Sequence, residues 1–456
     1  MGPMQVPGWA LWGASTQRAL ENFPISHQPM PQQIIHAFGL LKAACAVVNR
    51  DLGKLDGRLA DAIIEAANDV AAGHYDEHFP VDLYQTGSGT STNMNANEVI
   101  ANLADKSLYR QGGSHKQVHP NDHVNMGQSS NDTFPTAMHI AAVRALTELK
   151  CTLQRVQETL QGHAQRWDDI IKVGRTHLMD ATPIRVGQVF GGYAQQMRGA
   201  TRRVDQSISE LRTNMPIGGT AVGTGINTHA VFGKRVCEYL SERTGIKFEE
   251  AVDHCEAQAA KDSFVHVSGH LKTIAVSLSK IANDIRWLGS GPRCGIGELV
   301  LPAIQPGSSI MPGKVNPVIC ESVIQVAARV IANDVAVTGG AFGGVGSIFE
   351  LNVAMPLIAG AILESISLLR NVSKVFVDKL LAGLEVNRQH CVKLIEQSLM
   401  IVTALAPEIG YDKAAKLAKQ AFEERKTIRE VVLEQGVLSA ERLEELLNVE
   451  SMTRPG

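Results

Sequence analysis

VICESVIQVAARVIANDVAV, residues 318–337, is long enough for a helix and carries apolar or small residues almost all round the wheel. A helix with no polar face must be buried on every side. MPLIAGAILESISLL, residues 355–369, repeats the pattern. No apolar run reaches the length that a bilayer demands. The two stretches therefore read as the centre of a helical bundle shared with other copies of the chain. The alternative is a core helix inside one large domain.

Working outward, helical spacing of apolar positions covers 33–50, 54–72, 135–168, 184–213, 229–244, 257–290 and 355–376. Period-2 alternation is confined to PVDLYQ at 80–85. The tail, 412–424, 427–435 and 439–447, reads as short charged amphipathic helices. This predicts an all-α chain in three parts. Residues 1–130 form a mixed, mainly helical domain, 131–386 a central long-helix bundle, and 387–456 a small helical domain.

The balance of 43 Lys and Arg against 46 Asp and Glu gives a net charge near −3 and no case for nucleic acid or an anionic membrane surface. Seven scattered cysteines without a CxxC pair point to a reducing, cytoplasmic setting and to neither a disulfide framework nor a zinc knuckle.

Immediately before the first quoted stretch lies GSSIMPGKVNP, 307–317. Its glycines and prolines exclude a helix or a central strand. It fails as a nucleotide loop, because five residues separate Gly307 from Gly313 and Val315 follows Lys314. An ammonium, an amide and two hydroxyls at a helix mouth still suit an anion. GSGTSTNMNANE (87–98) and GQSSNDT (127–133) are further hydroxyl-and-amide clusters at helix starts. Each alone reads as a capping sequence; together they could surround a small dianion. GRTHLMDATP (174–183) adds His177 on a polar break, and Glu321 is a carboxylate that could hold an imidazole. VHPNDH (118–123) has two histidines and an aspartate, but its spacing fits no zinc pattern, so no metal is expected.

In order along essentially the whole chain, HPNDHVNMGQSSNDTFPTAMHIAA, GRTHLMDATP, GGTAVGTGIN, KIANDIRWLGSGPR, GSSIMPGKVNP, FELNV and ALAPEIGYDKAAK resemble the aspartase/fumarase superfamily, and within it the class II fumarases. The resemblance implies a three-domain all-α fold and a homotetramer with a shared helical core. It implies active sites assembled from three subunits, with no cofactor. The implied reaction is reversible hydration of fumarate to L-malate, a step of the tricarboxylic acid cycle, through an aci-carboxylate intermediate. By the same resemblance, Ser308, His177, Glu321 and Lys314 are catalytic. Ser88, Gly89, Thr90, Ser129, Ser130, Asn131, Thr176, Ser309, Lys314, Val315 and Asn316 bind substrate. His119, Pro120, Asn121 and Asp122 fall at a secondary carboxylate site.

The chain departs from the family pattern at Met179, where Gln is usual, at Ser91 and Thr92, and in GGAFGGVGSIFELN, about four residues longer than usual around 342–348. The alternatives are an aspartate ammonia-lyase, against which His177 argues, a lyase on a substituted fumarate, and a catalytically silent member of the superfamily.

Overall fold

The computed structural model describes residues 2–110 and 116–455. The chain is mostly helical. Its helices run α1 (Ala14–Asn22), α2 (Gln32–Asp51), α3 (Gly57–Ala71), α4 (Thr90–Arg110), α5 (Ser130–Arg166), α6 (Val186–Arg212), α7 (Phe232–Thr244), α8 (His254–Ala259), α9 (Asp262–Leu288), α10 (Val318–Ala341) and α11 (Met355–Val375), with further helices beyond. α2, α5, α6, α9, α10 and α11 follow the predicted apolar spacing to within a few residues; α4 lies in a glycine- and polar-rich stretch where apolar spacing predicts no helix.

Two boundaries differ from expectation. α5 starts at Ser130 rather than near Pro135. Ser129 caps it, its hydroxyl accepting from Asn131 N (3.2 Å) and its carbonyl from Thr133 N (3.0 Å). Pro135 is therefore the sixth residue of the helix, past the four opening amides that lack partners, and removes one backbone hydrogen bond there. The single helix expected over 257–290 is two, α8 (His254–Ala259) and α9. At the break, the buried Lys261 ammonium donates to the carbonyls of Ala257, Gln258 and Ala260, satisfying the end of α8.

GRTHLMDATP is more than a break. Ile171–Thr176 (β1) and Met179–Arg185 (β2) pair antiparallel. Period-2 alternation is too weak there to announce strands. The 80–85 stretch, by contrast, contributes only a bridge between Pro29 and Asp82.

The described chain divides into two compact units. One comprises the described part of 1–151, with 201–275 and 326–370; the other comprises 152–200, 276–325 and 371–455. In the second, the C-terminal helices have a core of their own: Ile395, Ile401, Leu405, Leu417, Ile428, Val431, Val432 and Leu443, joined by Val173 from β1.

The two all-apolar helices behave differently. Most of α11 is buried within its own chain. By length and hydropathy the stretch Met355–Gly383 would pass for a membrane span, contrary to the sequence expectation, but its burial is that of a core helix. α10 leaves a stripe bare. Ala328, Ile331, Ala332, Val335 and Gly339 are exposed, with Ile331 at 41% and Val335 at 69%. Within one chain the expectation of burial on every side therefore fails for α10.

Candidate active site

Four polar segments are positioned by helix starts and one turn. Gly89 has φ +71°, and a Cβ there would lie 2.0 Å from the ring of buried Phe134. Only glycine lets the 87–90 loop press so closely on α5. This places Ser88 beside Thr90 (Oγ to Oγ1 2.7 Å) and Thr90 beside Ser130 (2.7 Å). The three hydroxyls form a chain across the N-termini of α4 and α5. The positive ends of two helices favour an anion at such a place, with the opening amides of Ser91, Thr92 and Asn131 already held by Thr86 Oγ1, Gln85 Oε1 and Ser129 Oγ. Asn131 is held at the same end by donating to Ala221 O (2.8 Å). Two clusters 40 residues apart in sequence thus meet within one chain.

Below them lies a buried network that the motif search missed. Asp132 accepts from the amides of Ser129, Gly218 and Thr220, and burial pushes its carboxyl up to about 6. The fully buried Lys42 ammonium of α2 donates to Asn93 Oδ1 (2.8 Å), Asn125 Oδ1 (2.9 Å) and Gln128 Oε1 (2.9 Å). Burial brings Lys42 down to about 8. The available signal was a lysine inside FGLLKAACAVV, on the apolar face of an otherwise buried helix.

The serine loop is closed on itself. Gly307 N donates to Lys314 O (2.7 Å) and Asn316 Nδ2 to Gly307 O (2.7 Å). Ser308 Oγ accepts from the backbone amides of Met311 (3.1 Å) and Ile310 (3.3 Å). Two N–H groups aimed at one hydroxyl oxygen stabilise negative charge on it. Ser309, Lys314 and Val315 are exposed. Lys314, Val315 and Asn316 line a cleft of about 570 Å³ with Arg286 and Trp287, at the start of α10.

His177 and Leu178 form the two-residue turn of the β1–β2 hairpin, with φ +57° and +62°. Two successive positive φ values are the sign pattern of a type I′ turn, which favours Asn-Gly over His-Leu. Strain of about 1–3 kcal/mol per such residue persists where the surroundings enforce it. The hairpin is anchored by buried Glu298, which pairs with Arg175 (2.7 Å) and Lys172 (3.1 Å). Glu298 immediately precedes the strand Leu299–Val300 that leads toward the serine loop, so one carboxylate ties both segments. This anchor was also missed. Thr176 and His177 are exposed, and His177 lines a second cleft of about 600 Å³ with Arg175, Tyr193 and Asp284.

Among the described residues no hydrogen bond or ion pair joins His177 to Glu321 within the chain, and neither cleft contains both His177 and Lys314. The expected imidazole–carboxylate pair is not made by a single protomer. His119 and Asp122 pair locally (3.0 Å) in an exposed turn at Pro120–Val124, beside Asn121. No cluster of three or more His, Cys, Asp or Glu side chains fit for a metal ion occurs among the described residues.

Comparison with known proteins covers most of the chain. Residues 2–332 match the family described as Lyase, and 401–454 match Fumarase C C-terminus. The chain is 54% identical over 447 residues to a class II fumarate hydratase of Corynebacterium glutamicum, covering 98% of this chain and 92% of that one. It is 53% identical over 460 residues to a class II fumarate hydratase of Mycobacterium tuberculosis, covering 100% and 95%. The crystal structure of a class II fumarase from Schistosoma mansoni superposes with a TM-score of 0.95 at 37% identity, covering 99% of this chain and 97% of that one.

Proposed function

This chain belongs to the class II fumarate hydratase family of lyases, and from that premise we propose how it interconverts fumarate and L-malate. The observation that carries the reading is the Ser88–Thr90–Ser130 hydroxyl chain at two helix starts. With Asn131, it offers donors to a carboxylate without cancelling the substrate's charge.

In the dehydration direction, Ser308 removes a proton from the methylene carbon of malate. The electron pair moves into the adjacent carboxylate, giving an aci-carboxylate with charge on both oxygens. Lys314, Asn316 and the N-terminus of α10 face that charge. Preorganised donors of this kind contribute about 10²–10³ in rate each. The intermediate collapses, expelling the hydroxyl from the neighbouring carbon, and His177 protonates it through a bound water. Fumarate and water leave. The amides of Ile310 and Met311 support the Ser308 alkoxide, and Glu321 supports the imidazolium. Thr176, Ser309 and Val315 complete the lining, while His119, Pro120, Asn121 and Asp122 form a secondary carboxylate site.

For His177 to meet Glu321, segments must come from different protomers. The exposed apolar stripe of α10 supports a homotetramer with a shared helical core and sites built from three subunits, because contiguous bare apolar surface marks an association face. The three-part division at 130 and 386 belongs to the same reading, and the separate C-terminal core supports its last member. Seven free cysteines support a cytoplasmic setting.

Purified protein offered malate develops the ultraviolet absorbance of fumarate, and offered aspartate stays silent. Signal from aspartate alone overturns the hydratase reading. Val335→Asp places a charge where the lone chain is open and the proposed core is dry. It is expected to abolish assembly and activity together in size-exclusion chromatography and assay. A fully assembled, active Val335→Asp protein contradicts the shared core.

A further inference from the structure

We propose that Lys42 is a positioning residue for the carboxylate cradle, its buried ammonium fixing the starts of α4 and α5 at the separation that aligns Ser88, Thr90 and Ser130. This rests on the hydratase reading above and goes beyond it, because Lys42 touches neither substrate nor any of the hydroxyls.

The geometry is that of a hub. Its three acceptors come from two segments: Asn93 lies one turn into α4, and Asn125 and Gln128 lie in the turn that delivers Ser129 to α5. Asn93 Oδ1 also accepts from Thr133 Oγ1 of α5 (3.1 Å), and Asn93 Nδ2 donates to Asn125 Oδ1 (3.2 Å). Asn97 Nδ2 adds a third donor to Asn125 Oδ1 (3.2 Å). Two of the three acceptors, Asn93 and Asn125, are thus engaged by both cluster-bearing segments, while Gln128 braces its own turn by donating to Val124 O and Met126 O. An ammonium brings three donors to three carbonyl oxygens; a neutral amine brings two and turns a lone pair on the third. Loss of the proton therefore unlocks one contact in a dry site, where an unmet carbonyl is costly.

The titratable groups facing Lys42 are Cys45 on its own helix and Asp132 on α5; its hydrogen-bond partners are neutral amides, and the Phe38 ring centroid lies 5.9 Å from its Nζ. With Lys42 near 8 and Asp132 near 6, both are charged between those limits. Above pH 8 the cradle loosens. The fold itself gains over the same range, because a lysine whose folded value lies below the ordinary 10.5 costs stability while charged and ceases to do so as the pH rises from 8 towards 10.5. Function and stability move in opposite directions, which separates this role from a purely structural one.

The test is Lys42→Met in the assembled enzyme. KM for fumarate is expected to rise about tenfold or more, with kcat falling less than threefold; the wild type is expected to show an alkaline rise of KM above pH 8 and the variant to lack it. A KM within twofold of wild type, with the alkaline rise intact, overturns the proposal. Should Lys42→Met fail to assemble, wild-type protein decides. The inert dicarboxylate succinate is titrated calorimetrically at pH 8.5 in buffers of different ionisation enthalpy, about 2 units above the ordinary imidazole value. Binding is expected to take up roughly half a proton or more per site, because the ordered cradle needs the ammonium. No uptake overturns it. Wild-type protein silent on fumarate would defeat the reading of the reaction, and the succinate titration would still decide the role of Lys42.

Discussion

Ser308→Ala is expected to lower turnover by about 10²–10⁴-fold, the range for loss of a positioned acid or base, with assembly and thermal stability unchanged. The hydroxyl is half-buried in a loop that closes through Gly307, Lys314 and Asn316. Removing it frees two backbone amides that solvent can reach, so the structural cost is small. His177→Asn is expected to fall in the same range, since asparagine keeps the polar turn and tolerates positive φ while losing the titratable nitrogen. The two defects should be far from additive, because both groups serve one proton relay. A steady-state assay beside size-exclusion chromatography reads both effects. Near-normal turnover in either variant removes that residue from the relay.

Gly89→Ala is the second large effect, and it arises from packing. The added methyl would lie 2.0 Å from Phe134, whose ring is fully buried, on a backbone at φ +71°. Neither α5 nor the ring can yield by that distance without moving the loop. Overpacking typically costs about 1–3 kcal/mol and the left-handed backbone about 1–2 kcal/mol more. A protein that survives this cost is expected to have displaced Ser88 and Thr90 from Ser130. A lower melting temperature together with KM raised at least tenfold is the expected outcome. Unchanged values for both would show that the close approach of loop and helix is not required.

Why these residues were legible differs from one to the next. Ser88, Thr90, Ser130, Ser308 and Lys314 stood out because several polar clusters at helix starts, which singly read as caps, together suit a small dianion; the role of each residue came from the family resemblance. The long helices were legible because 3.6-residue spacing survives over twenty or more residues. The β1–β2 hairpin was not, because its strands carry irregular burial and its turn uses His-Leu in place of the glycine-rich dipeptides that mark such turns. Lys42 and Glu298 were hidden for another reason. A buried charge is defined by its partners, and those of Lys42 lie 51 to 86 positions away, while Arg175 lies 123 from Glu298. The bare stripe of α10 shows the limit of the wheel argument. The sequence pattern states that a face will be covered, and only the folded chain shows that its own residues leave it open.

Co-assembly of two inactive variants tests convergence across protomers most directly. His177→Asn and Ser308→Ala proteins, each silent alone, are unfolded together, refolded as mixed assemblies and assayed for fumarate hydration. If the two residues of a site come from different protomers, some mixed sites hold both wild-type groups, and a substantial fraction of activity returns. If one protomer supplies both, no mixture can restore a site, and continued silence from verified mixed assemblies would contradict the account.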